Sequence, residues 1–199
     1  MIVSGQTGSG KTEFVAKLLQ NQEEMHEVPF ERIIYVYSVD QDRYQELFST
    51  VSNIELHEGF PCDLDLSGMP TLLVLDDMML ELSKDDRLAK LFTRMRHQNL
   101  STIFITQNMY FSSRFATTVT RNAQYLVLFP NLRDATMITT LGRQIFPKQP
   151  KYLESAFNDA TSEKYGYLFL DLKADSDPKL RVRSNIFSKE QITIYRPNS

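Results

Sequence analysis

Apolar residues along the chain fall into short continuous runs, separated by stretches in which they recur three and four positions apart. This is the alternation of strands buried on both faces with amphipathic helices. Met1 to Ser4 runs straight into GQTGSGKT, after which Phe14, Val15, Leu18 and Leu19 keep helical spacing, so the opening reads as strand, glycine loop, helix. Further strands are predicted at Ile33–Ser38, near Asn53–Leu56, and at Thr71–Leu75, Thr102–Thr106 and Tyr125–Phe129. Leu88, Leu91, Phe92 and Met95 predict a helix over Lys84–Gln98, and another is expected around Asp134–Gln144, with Pro147 and Pro150 as breakers. Asn108–Asn122, polar with interspersed aromatics, reads as a long loop or short helix. Tyr165–Leu172 and Leu180–Phe187, joined by KADSDP, read as a hairpin that Ile192–Tyr195 extends. The expectation is one α/β domain over residues 1–199, with a core of about 1–145 and a C-terminal helix and β-hairpin over about 146–199.

Composition narrows the class. Hydrophobic residues make up 42% and charged residues 24% of the 199, which argues against disorder, collagen and coiled coil. No apolar run approaches the ~18 residues of a membrane span. Cys62 is the single cysteine, which excludes a disulfide scaffold within the chain and fits a reducing compartment. Ile2 and Val3 ahead of Ser4 and Gly5 offer no signal-peptide pattern, an expectation against secretion. The net charge of −3 is unevenly spread: the 47 residues from Arg87 to Arg133 hold seven cations and no acid, and the remainder stands at −10. A basic stretch inside an acidic chain suits phosphates, or else forms an ordinary solvated face.

Gly5 to Thr12 matches G-x-x-x-x-G-K-[ST], the phosphate-binding P-loop, in full. Gly5, Gly8 and Gly10 permit backbone conformations and close approaches that a Cβ blocks, so that amides of Gln6, Thr7, Ser9 and their neighbours can curl around phosphates at a helix N-terminus. Lys11 reaches the β- and γ-phosphates in such a loop, and the Thr12 hydroxyl ligates Mg²⁺. A nucleoside triphosphate and Mg²⁺ are therefore the expected ligands. Asp76 closes the most apolar strand, where open α/β sheets bind ligands, and is the expected second Mg²⁺-holding residue, the Walker B carboxylate. Two readings fit Asp77: a base or orienting group for an attacking water, or the N-cap of a following helix. Gln107, after the Thr102–Thr106 strand, is either a sensor of the γ-phosphate or a hydrogen-bonding partner of its own loop. Arg96 precedes that strand, where a guanidinium can stabilise transition-state charge at a neighbouring subunit's nucleotide; Arg94, Arg114 and Arg121 compete for that role, and each reads equally as a surface or DNA-contacting cation.

Tyr110, Phe111, Arg114 and Phe115 combine aromatics with a cation, which suits either a nucleic-acid backbone or core packing. His26, His57 and His97 show no metal spacing, Cys62 no nucleophile signature, and Met78 with Met79 reads as core filling.

With these residues in place, the sequence resembles the FtsK-HerA superfamily of P-loop DNA-pumping ATPases. More narrowly it is similar to the genome-packaging ATPases of large double-stranded DNA viruses, the poxvirus type, and their relatives in Polinton (Maverick) elements and virophages. The stretches that carry the resemblance are MIVSGQTGSGKTEF, TLLVLDDMM, RHQNLSTIFITQN, TRNAQYLVLFPNLRD, YGYLFLDL and RVRSNIF, which span nearly the whole chain in order. The resemblance implies a P-loop NTPase three-layer sandwich whose mainly parallel central sheet carries an additional strand between the Walker A and Walker B strands. It also implies ATP hydrolysis with Mg²⁺, Gln107 in the family's glutamine motif, and Arg96, eleven positions before Gln107, as the arginine acting in trans. The implied setting is a homo-oligomeric ring, a pentamer or hexamer, that drives double-stranded DNA into a capsid. Partners would be the DNA and a capsid or portal protein, without a membrane, at a virus assembly site in the host cytoplasm or nucleus. Asp77 departs from the glutamate that many relatives place after the Walker B aspartate, and is one methylene shorter.

Rival readings are a small P-loop phosphotransferase of the nucleotide-kinase kind, a GTPase and a non-hydrolysing nucleotide-binding module. The first calls for an arginine-rich lid, and no compact lid is evident. The GTPase reading fails on order and motif: DLSG, Asp65 to Gly68, precedes the Walker B strand, and NLRD, Asn131 to Asp134, stands where N-K-x-D is needed.

Overall fold

The computed structural model describes residues 1–25, 28–38, 43–61, 68–78, 99–109, 120–134 and 136–197. The predicted helix over Lys84–Gln98, with Arg94, Arg96 and His97, lies outside them, as do Tyr110, Phe111, Arg114, Phe115, His26 and Cys62. The chain divides into two compact units: Met1–Lys11, Gln107–Tyr110 and Thr120–Ser199 form the first, Thr12–Thr106 and Phe111–Val119 the second.

Among the described residues the second unit holds four parallel strands. They are β2 (Arg32–Tyr37), β3 (Ile54–Glu58), β4 (Thr71–Asp76) and β5 (Leu100–Thr106), in the order β3-β2-β4-β5. Every residue of β4 is buried, as the unbroken run TLLVL predicts for a strand covered on both faces. Leu72, Leu73, Val74 and Leu75 are each at most 3% exposed, and each contributes about 1.5–3 kcal/mol by leaving water. Register aligns Tyr37 of β2 and Ile105 of β5 with Asp76. Helices α1 (Lys11–Gln20), α2 (Gln22–Met25) and α3 (Arg43–Leu47) accompany these strands. Phe14, Val15, Leu18 and Leu19 of α1 are buried as their spacing predicts, and Ala16 is buried beside them.

In the first unit, β1 (Ile2–Ser4) pairs in parallel with β6 (Tyr125–Leu128). Beyond β6 the direction reverses: β7 (Leu168–Asp171), β8 (Val182–Ser184) and β9 (Thr193–Tyr195) are successively antiparallel. The predicted hairpin is therefore present, but its first strand starts at Leu168 because Tyr165 turns left-handed, with φ +66, before a tight Gly166. Pro150 opens helix α5 (Pro150–Ala160) at a position whose missing N–H costs nothing, so it both separates this helix from the preceding one, as a breaker does, and starts the expected C-terminal helix. Gly142 of helix α4 (Thr136–Ile145) lets that start come close, since a Cβ there would fall 2.5 Å from the Pro150 carbonyl.

Candidate phosphate loop and carboxylate

The loop between β1 and α1 lies wholly in the first unit up to Lys11. Its chain is held by backbone: Phe129 N donates to Ser4 O at 2.8 Å, Gln6 N to Pro130 O at 3.2 Å, and Ser9 N to Gln6 O at 3.2 Å. Gly8 and Gly10 have φ of +76 and +102, which only glycine adopts without strain. A Cβ on Gly5 would fall 2.5 Å from Phe129 Cβ and 2.9 Å from Ser9 Oγ, so the glycine there is a matter of space. Lys11, 9% exposed, folds its ammonium back onto the loop and donates to Gly5 O at 2.8 Å and Gln6 O at 2.9 Å. Ser9 Oγ is buried and finds no hydrogen-bond partner among the described residues. A loop with two left-handed glycines, an unspent hydroxyl and an ammonium fits a polyphosphate chain. Thr7 and Gly8 are exposed, and Thr12 is the second residue of α1.

In the second unit Asp76 ends β4 and is 7% exposed. Tyr35 Oη donates to its Oδ2 at 2.5 Å and Tyr44 Oη to the same oxygen at 3.1 Å. The rings of Tyr35, Tyr44 and Phe48 pack together with centroids 4.6–6.0 Å apart, which sets the direction of both hydroxyls. Burial first, and then the charge of Asp76, push the Tyr35 phenol well above its usual range, so it stays a donor. Asp77 is exposed with φ +54, and its N–H donates to Ile105 O at 3.2 Å, carrying the β4–β5 pairing one residue further. Gln107 is exposed, and its carbonyl accepts from Asn131 Nδ2 at 2.9 Å. Arg121 is exposed, Met78 is buried in the core, and His57 lies 3.4 Å from Glu55, which Arg32 also contacts at 2.7 Å. Among the described residues no group of three or more His, Cys, Asp or Glu could hold a metal ion. Mg²⁺ needs none, because one or two oxygen ligands, with waters and substrate phosphates, complete its shell. The Asp76 carboxylate and the Thr12 hydroxyl are oxygen donors of the right kind.

Sequence reasoning missed Tyr35, Tyr44, Phe129 and Tyr165. For Tyr35 a signal existed: a tyrosine inside a strand buried on both faces must find a partner for its hydroxyl. For the other three, only the fold brings them to their places.

No protein-family model and no curated protein matches the chain. Among solved structures, the chain is similar to the cytoplasmic domain of the type VII secretion ATPase EccC from Thermomonospora curvata. That match has 14% identity and a TM-score of 0.51, over 99% of this chain and 24% of that one. It is also similar to EccC ATPases 2 and 3 of the same organism in complex with a signal sequence peptide, with 15% identity and a TM-score of 0.47, over 99% of this chain and 37% of that one. The chain thus spans well under half the length of either. The fold is α/β, mainly parallel and of the P-loop NTPase kind, as the opening motif predicts. Among the described residues no helix is long and apolar enough to cross a membrane.

Proposed function

We propose that this chain is a Mg²⁺-dependent ATP hydrolase of the FtsK-HerA type that translocates double-stranded DNA, as the packaging motor of a virus or virus-like element. The observation that carries the hydrolase reading is the loop of Gly5 to Lys11, with two left-handed glycines, a buried ammonium and a buried hydroxyl left unpartnered. Loop amides and Lys11 bind the phosphates, Lys11 exchanging the Gly5 and Gln6 carbonyls for the β- and γ-oxygens. Thr12 and Asp76 hold Mg²⁺, which when bound offsets charge developing on the transferred phosphoryl group. Asp77 orients the attacking water and accepts its proton as the new O–P bond forms and the bond to the β-phosphate breaks, with ADP leaving. Gln107 senses the γ-phosphate, and Arg96 of a neighbouring copy completes the site in a ring of five or six.

The DNA reading is supported by the cation-only stretch from Arg87 to Arg133 and by motifs that follow the packaging ATPases in order along the chain. On this reading the chain works with a capsid or portal protein at a virus assembly site, in the host cytoplasm or nucleus.

Steady-state ATP hydrolysis, with and without long double-stranded DNA over a range of protein concentrations, tests both layers. Hydrolysis should rise with DNA and steeply with protein concentration, and Lys11→Ala should lower it at least about a hundredfold. Normal turnover in Lys11→Ala would remove the loop as the active site. Indifference to DNA, with phosphate passed to a small acceptor, would replace the motor by a phosphotransferase.

A further inference from the structure

Tyr165 combines features that core packing does not call for. It sits at φ +66, a left-handed conformation rare for a bulky side chain, and yet it is 55% exposed. Its side chain lies against the phosphate loop: a Cβ on Gly10 would come within 3.2 Å of Tyr165 Cδ1 and 3.4 Å of its Cβ. The turn that presents it is tightly held. Thr161 Oγ1 donates to Phe157 O at 2.7 Å, Ser162 N to Asp159 O at 3.2 Å, and Gly166 N to Glu163 O at 3.0 Å. Gly166 admits no side chain, since a Cβ would fall 2.3 Å from Ala160 O. On the other side Tyr167 is buried, with its ring centroid 5.6 Å from Phe129, and its hydroxyl accepts from Ile186 N at 2.9 Å. An exposed tyrosine with a left-handed backbone is therefore displayed from a hydrogen-bonded turn beside the loop. The Lys164 ammonium lies 4.7 Å from the ring centre, and ring surface remains open with it there.

We propose that Tyr165 is the platform for the nucleoside half of the bound nucleotide. This rests on the reading of Gly5 to Thr12 as a triphosphate site. Loop amides hold the α- and β-phosphates, and the nucleoside is bonded to the α-phosphate, so a ring packed on Gly10 is the aromatic surface next along the ligand. Every base has a π-face, so such a ring binds bases without choosing among them. That suits a chain with no N-K-x-D motif. The hydrogen-bonded turn holds Tyr165 at φ +66 against the cost of that conformation, and so keeps the ring where packing alone would not need it.

The test is calorimetric binding of ATP, GTP and inorganic tripolyphosphate to the full chain and to two variants. Tyr165→Asn suits a left-handed residue but lacks the ring. Tyr165→Phe keeps the ring. Tyr165→Asn should weaken ATP and GTP about tenfold and leave tripolyphosphate unchanged, and Tyr165→Phe should bind all three normally. Equal weakening of tripolyphosphate would reduce Tyr165 to a support for the loop and overturn the proposal, as would unchanged ATP binding in Tyr165→Asn. Failure of the unmutated chain to bind tripolyphosphate or ATP would instead overturn the reading of the loop itself.

Discussion

The phosphate loop and the end of β4 hold their functional groups by different means. The loop of residues 5–11 is shaped by backbone: main-chain hydrogen bonds from Phe129 and to Pro130, left-handed Gly8 and Gly10, and a Gly5 with no space for a Cβ. Asp76 is held by side chains from other elements, Tyr35 of β2 and Tyr44 of α3, 41 and 32 residues away in sequence. A site made of backbone depends on which residues are missing a Cβ. A site made of side chains depends on which hydroxyls arrive.

The sharpest way to break this contrast is Gly5→Ala. A Cβ 2.5 Å from Phe129 Cβ forces one of two packed segments to move, and overpacking of this kind costs about 1–3 kcal/mol. Urea denaturation should show that loss, together with weakened tripolyphosphate binding. An unchanged midpoint would mean that the loop has slack. On the side-chain half, Tyr35→Phe should cost about 1–3 kcal/mol by depriving a buried carboxylate of a donor, and weaken Mg²⁺ binding about 10–100-fold. Tyr44→Phe, which removes a longer bond of 3.1 Å, should cost less in both respects. If Tyr35→Phe matched the unmutated chain in a Mg²⁺ titration, the tyrosines would be packing residues only.

Smaller effects come with alkaline pH. Burial raises the phenols of Tyr35 and Tyr167, and that of Tyr152 to about 12, from the ordinary value near 10. Groups with folded pKa values above the unfolded ones stabilise fully below about pH 10, and that contribution is lost as pH rises through the folded values. The urea midpoint should therefore fall between pH 10 and 12, less steeply in Tyr152→Phe. Smallest of all, Arg32→Ala should cost under about 1 kcal/mol in the same assay, since Glu55 is 42% exposed and the pair is screened by water.

The same contrast explains how much was legible in advance. Strands β1, β2, β4, β5 and β6 follow from apolar runs, and the loop from its glycines, because both are local properties of the chain. The pairing of Asp76 with Tyr35 is not local: the run IIYVYS announces a buried strand, but not which strand lies beside it or that both end level. Pro150 both stops one helix and opens the next, and only the second role brings it against Gly142, a contact that the sequence does not announce. Tyr165 was absorbed into a strand because its left-handed backbone has no mark in a run such as YGYLFLDL beyond the glycine that follows.

The register that sets Tyr37 and Ile105 level with Asp76 makes β4 a ruler as well as a wall. Leu72 to Leu75 can exchange for other aliphatics of similar volume at modest cost, because what they supply is bulk. Their number cannot change so freely. One residue added or removed between Thr71 and Asp76 would reverse which side of the sheet the carboxylate emerges on and carry it about 3.3 Å along the strand, away from both tyrosines. The strand is tolerant of spelling and intolerant of length.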